Sequence, residues 1–204
     1  MKYLFGLLLL LSFYHQAAWC QVADSNLVFV KSNISYFSLD PLHQLLAIEK
    51  DGALVKYDRS GQMLFKYHNT VLGEIGSIDA ADPFNILLFF PAQQTIALLD
   101  RTLGDQGELD LRTTIVQNAT AAARSPDNNI WVYDDYAGRL YRLSPRGEVL
   151  FTSNDFRLSE QLYQGATHIW RNGNKLLLNF PERGVAVLTL FGKLEEWWPL
   201  KDIT

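Results

Sequence analysis

Few side chains in this 204-residue sequence could do chemistry, and they are thinly spread. His168 lies in a short segment that reads as an innermost strand, where an imidazole facing a channel could act as acid, base or ligand. Asp79 and Ser77 occupy a comparable segment, and together with His168 they would complete a Ser-His-Asp set. No nucleophile-elbow pattern surrounds Ser77, and the simpler role for His168 is that of a hydrogen-bonded packing residue. His43 and His68 fall in polar loops without ligand spacing to His168. Asp134 and Asp135 place two carboxylates at a hairpin tip, where aspartate favours the turn and stays solvated. The sequence carries no P-loop, dinucleotide fingerprint or cysteine pair. Nothing in these patterns argues for catalysis.

Binding has better material. His68, Asp134, Asp135, Tyr136, Tyr163 and Arg183 fall at hairpin tips or connections, and Tyr and Arg are favoured at interface hot spots. The longest connection, Thr152 to Thr167, interleaves Phe156, Leu158, Leu162 and Tyr163 with charged residues. Such a loop either recognises a partner or packs down on the strands beneath it.

The elements that position these residues come from a unit occurring four times: a polar turn, an apolar strand, a short turn, a second strand and a glycine. Its copies begin near Ser38, Ala80, Arg124 and Arg171, and glycines recur at Gly61, Gly104, Gly147 and Gly192, roughly 43 to 45 residues apart. Leu45–Ile48, Ile86–Phe90, Ile130–Tyr133 and Leu176–Leu178 are short apolar runs bounded by turn formers. Their partners, Ala53–Tyr57, Thr95–Leu99, Arg139–Leu143 and Val185–Leu190, follow after a few polar residues, the spacing of hairpins. Segments with small residues precede each turn, at Ile34–Ser38, Ile75–Ala80, Thr120–Ala123 and Thr167–Ile169, and suit a crowded axis. A solvent-facing fourth strand is expected after each glycine, as at Gln62–Tyr67 and Glu148–Thr152.

Lys2 and the apolar run after it have the layout of a secretory signal peptide over residues 1–20, with cleavage expected before Gln21. The run is short for a membrane span. Lipidation of Cys20 is the competing fate, and Trp19 argues against it, because lipoprotein signals favour a small residue there. The remaining chain, 21–204, suffices for one domain and holds no cysteine, so packing rather than disulfides must stabilise it. The formal net charge of −4, without a basic run, disfavours nucleic acid and anionic membrane as partners.

The Asp-containing turns and hairpins ending in Tyr57-Asp58-Arg59-Ser60-Gly61 or Leu143-Ser144-Pro145-Arg146-Gly147 make the chain resemble β-propellers of the broad NHL and gluconolactonase-like kind, exported bacterial members especially. The resemblance runs from about Leu27 to Leu200 and implies an all-β fold of four-stranded blades, five to eight in the usual ring. Only four blades and an added strand at Leu27–Lys31 are legible here, so either four close the ring or the chain is a shortened member with an open one. The second is the expectation, with two exposed blade faces as its consequence. Gluconolactonase-like members hold a divalent metal such as calcium at the axis with Glu, Asn and Asp side chains. Here the resemblance offers Asp79, Asn118 and His168, with no glutamate from the first strand. The expectation is therefore a non-catalytic binding or scaffold protein of the periplasm or cell envelope, without a cofactor and with an envelope protein as partner. The alternative is a metal-dependent, lactonase-like hydrolase at the central channel.

Overall fold

The computed structural model describes residues 33–158 and 165–200. The expected signal peptide, the strand expected over Leu27–Lys31, and Tyr163 lie outside these residues. Among the described residues sixteen strands form four antiparallel sheets, each a meander of four consecutive strands. Blade one comprises β1 (Ile34–Leu39), β2 (Leu45–Glu49), β3 (Leu54–Tyr57) and β4 (Met63–Tyr67). Blade two comprises β5 (Ser77–Asp79), β6 (Ile86–Phe90), β7 (Thr95–Leu99) and β8 (Asp105–Asp110). Blade three follows with β9 (Ala119–Arg124), β10 (Ile130–Asp134), β11 (Arg139–Leu143) and β12 (Val149–Thr152). Blade four ends the series with β13 (His168–Asn172), β14 (Lys175–Phe180), β15 (Gly184–Thr189) and β16 (Leu194–Trp198). The protein is thus a four-bladed β-propeller. No helix among the described residues is long and apolar enough to cross a membrane.

Burial explains the continuous apolar runs. Every residue of β6, β7 and β10 is buried, because both sheet faces pack against neighbouring blades. One apolar cluster joins blades one and two through Leu46, Leu54, Ile86 and Leu88. A second joins blades two and three through Leu87, Ile96, Ile130 and Val132. The third joins blades three and four through Trp131, Tyr133, Leu176 and Phe180. Edge strands β4, β12 and β16 have exposed or half-buried residues throughout.

The recurring glycine has a geometric cause, and the structure corrects one of its positions. A bulge interrupts the pairing of third and fourth strands at Tyr57, Leu99, Leu143 and Leu188. The next residue, Asp58, Asp100, Ser144 or Thr189, accepts amide hydrogens from two and four residues ahead. The turn then requires a left-handed backbone, supplied by Gly61, Gly147 and Gly192. In blade two that position is Leu103, with φ of 61°, and not Gly104. Left-handed geometry costs a non-glycine residue about 1–2 kcal/mol. Burial of the Leu103 side chain in the seam between blades one and two offsets it.

The innermost strands surround one axis, with Ala121 and Ala123 of β9 fully buried there. Tyr36 of blade one stacks on His168 of blade four, ring centroids 6.3 Å apart, so the first and last blades meet at the axis. The three apolar clusters join blades one to two, two to three and three to four, and none of them joins blade four to blade one. Away from the axis, Ala47, Val55 and Tyr57 of blade one and Val185 and Val187 of blade four are buried, while Phe37 and Leu39 stay exposed.

Candidate functional site

The most fully organised surface is the tip of the β10–β11 hairpin in blade three. Asp134 was expected to be a solvated turn residue, and the structure corrects this: its side chain is 0% exposed. Its Oδ2 accepts from the Gln117 amide at 2.8 Å, and its Oδ1 accepts from the amides of Asn118, Tyr136 and Ala137 at 3.0–3.2 Å. A single carboxylate therefore ties the hairpin tip to the connection entering β9. Asp135 remains half-buried and accepts from the Gly165 amide at 2.7 Å.

The connection after β12 is sewn onto the same tip. Phe156 is buried, stacks on Tyr133 with centroids 6.3 Å apart, and donates its amide to the Gly138 carbonyl at 2.8 Å. Of the two fates expected for this residue, packing onto the blade is the one observed. Arg157 donates to the Tyr136 carbonyl at 2.9 Å and forks onto Asp155, whose carboxyl that guanidinium holds down at about 2. Burial pushes the Tyr133 phenol upward. Two large side chains stand out of this locked frame, Tyr136 at 64% and Leu158 at 87% exposure.

Elsewhere the expected binding residues are dispersed. His68 is exposed and lines a cavity of about 490 Å³ in blade one, beside Asp51 and Asn69. Arg183 is half-buried in the β14–β15 hairpin of blade four. The structure therefore unites Asp134, Asp135, Tyr136 and Phe156, and leaves His68 and Arg183 on other blades.

Along the axis, Asp79 and His168 line the same cavity of about 180 Å³, while Asn118 lines a second of about 450 Å³ that also reaches His168. His168 lies between two rings, Tyr36 and Trp170, the latter 5.4 Å away and nearly parallel, and burial lowers its pKa. Burial likewise raises the Asp79 carboxyl, although its Oδ1 accepts from the Ala81 amide at 2.9 Å and its Oδ2 from the Arg124 amide at 2.7 Å. Ser77 Oγ is buried without a hydrogen-bond partner and offers the serine of the imagined triad no base contact. Each Asp79 oxygen accepts one amide hydrogen, and the described residues contain no group of three His, Cys, Asp or Glu side chains able to hold a metal.

The sequence reading missed Arg124 and Arg171. Both line a cavity of about 360 Å³ at the opposite end of the axis from Asn118. They share one position of the repeat, the residue ahead of the polar turn, where blades one and two carry Leu39 and Ala81. Comparing the copies at that position would have revealed them.

No family model matches this chain, and no curated protein matches it. Solved structures do. A streptogramin B lyase superposes with a TM-score of 0.60 at 17% identity, covering 86% of this chain and 57% of its own. The WD40 domain of Neurospora crassa Pan2 gives 0.58 at 11% identity, with 82% of this chain and 50% of that one covered. The computationally designed Ika4 protein gives 0.50 at 16% identity, with 78% of this chain and 92% of its own covered. The chain thus spans under three fifths of the lyase. At such identities the likeness concerns the propeller fold, on which catalysis and recognition are both hosted.

Proposed function

We propose that the protein is an exported, non-catalytic binding propeller of the NHL-like kind that holds a protein partner of the cell envelope on its blade-three connection face. The observation that carries this reading is Tyr136 and Leu158, both largely exposed, standing on a hairpin and loop locked by Asp134, Phe156 and Arg157. Exposed apolar side chains on a frame already ordered lose little conformational entropy on docking, which favours affinity. An aromatic anchor with few torsions adds to that advantage.

The test is a crosslinked pull-down of the tagged full-length protein from its host's envelopes, beside a Tyr136→Ala/Leu158→Asp variant of unchanged circular dichroism. One dominant partner captured by the native chain and lost by the variant is the expected result. Equal capture by both would refute the assignment of the surface. A stoichiometric divalent ion in the purified protein, lost on Asp79→Ala, would replace this reading with the metal-dependent hydrolase.

A further inference from the structure

The end of the axis opposite the Asn118 cavity has a composition that neither packing nor the proposed docking surface explains. Arg124 ends β9 and is only 8% exposed, yet its guanidinium makes one hydrogen bond, from Nη1 to the Asn128 carbonyl at 3.3 Å. Arg171, on the neighbouring blade, opens onto the same cavity. Among the described residues neither guanidinium forms an ion pair within 4 Å. A guanidinium cannot shed its proton to escape this situation. Desolvation lowers the Arg124 pKa, as expected for a cation partly withdrawn from water without a contacting anion.

The carboxylates nearby are engaged elsewhere. Asp82, which lines the cavity, accepts from the Phe84 amide at 2.9 Å and from Asn85 Nδ2 at 2.7 Å. Asp79 holds the amides of Ala81 and Arg124. Both act on the arginines through space, moderating the charge without supplying a fork partner. Ser125 and Asn128 complete the polar lining, and the apolar part of the wall is stiff: Pro41, Pro83 and Pro126 come from the equivalent turns of three blades, and Phe84 is 54% exposed beside them. At about 360 Å³ the cavity is within the size range of small-molecule sites, roughly 300–1,000 Å³.

We propose that this mouth of the axis binds a small organic carboxylate with an apolar body. The carboxylate receives guanidinium hydrogens from Arg124 and Arg171, and the body lies against Phe84 and the three prolines. Arginine suits the task because its planar fork matches a carboxylate. Blades one and two contribute Leu39 and Ala81 at the same repeat position, so the charge is confined to one side of the ring and gives the ligand one orientation.

Isothermal titration calorimetry of the purified full-length chain with 3-phenylpropanoate tests this, with 3-phenylpropanamide and inorganic phosphate as comparison ligands. The acid is expected to bind saturably and the amide at least about tenfold more weakly, as loss of a charge-assisted contact requires. Arg171→Gln, on an exposed side chain, should weaken the acid by a similar factor while leaving the circular dichroism unchanged. Arg124→Lys, which keeps the charge and loses the fork, should weaken it too. Equal binding of acid and amide, absence of saturable binding, or indifference to Arg171→Gln would each overturn the proposal. Phosphate binding as tight as the acid would overturn the part assigned to the apolar walls.

Discussion

Asp40, in the β1–β2 turn of blade one, and Asp134, at the β10–β11 tip of blade three, are both buried carboxylates, at 4% and 0% exposure, and each is compensated differently. Asp40 takes two amides on Oδ1, from Leu42 and Gln44, and faces Lys56 Nζ across 3.3 Å on Oδ2. Lys56 is itself 1% exposed and donates to the Arg101 carbonyl at 3.1 Å, so the pair bridges blade one to blade two. Among the described residues Asp134 has no cation in contact, and it relies on four amides from its own hairpin and the preceding connection. The first arrangement joins blades at the cost of burying two charges. The second joins loops with dipoles that the backbone already carries, and it frees the surface above for display.

Removing one partner sharpens the difference most. Lys56→Met leaves Asp40 buried beside an apolar side chain and should cost about 3–5 kcal/mol in urea unfolding. Adding Asp40→Asn should recover most of that loss, because the uncompensated charge goes with it; no recovery would show that the lysine acts by packing alone. Asp134→Ala should cost about 3 kcal/mol, since several amides lose their acceptor together. Its signature is local: protease cleavage should rise between residues 134 and 158. Cleavage spread evenly over all four blades would show that Asp134 stabilises the whole ring rather than one face.

Acid acts more gently, on the blade-three face and on the axis. Arg157 holds the Asp155 carboxyl at about 2, below its ordinary value near 3.9, so this contact contributes fully above that ordinary value and is lost as pH falls toward 2. A carboxyl NMR titration should give a midpoint near 2, returning toward 3.9 in Arg157→Ala. The smallest effect concerns His168, whose pKa burial lowers. A depressed histidine favours the fold above its unfolded pKa of about 6.5, and that contribution declines as pH falls below it. Its ring-proton midpoint should therefore lie below 6.5, and a midpoint above it would mean that a carboxylate rather than burial governs the ring.

Much of the fold was legible because its signals are local. Ile86–Phe90 and Thr95–Leu99 occupy the strands read from the sequence, since a short apolar run between turn formers encodes a doubly buried strand directly. The turn glycines were legible for a similar reason, except in blade two. There Leu103 takes the left-handed position, and only its burial in the seam makes that tolerable. The candidate surfaces were less legible. Tyr136 could be named as exposed, while the Arg157 contact that fixes its backbone depends on a loop twenty-one residues further along the chain.

The sequence by itself determined strands, hairpins and four copies of one unit, because short apolar runs, turn chemistry and repetition act over a few residues. Tertiary structure decided what identical residue types became. Asp134 and Asp135 are adjacent and chemically alike, yet one is enclosed by amides from Gln117 and Asn118 while the other stays half-buried at the rim. Arg124 and Arg171 are far apart in the chain and meet at one cavity only because the blades turn about a common axis. Burial and electrostatic environment are sums over neighbours brought together by folding, and no short stretch of sequence contains them.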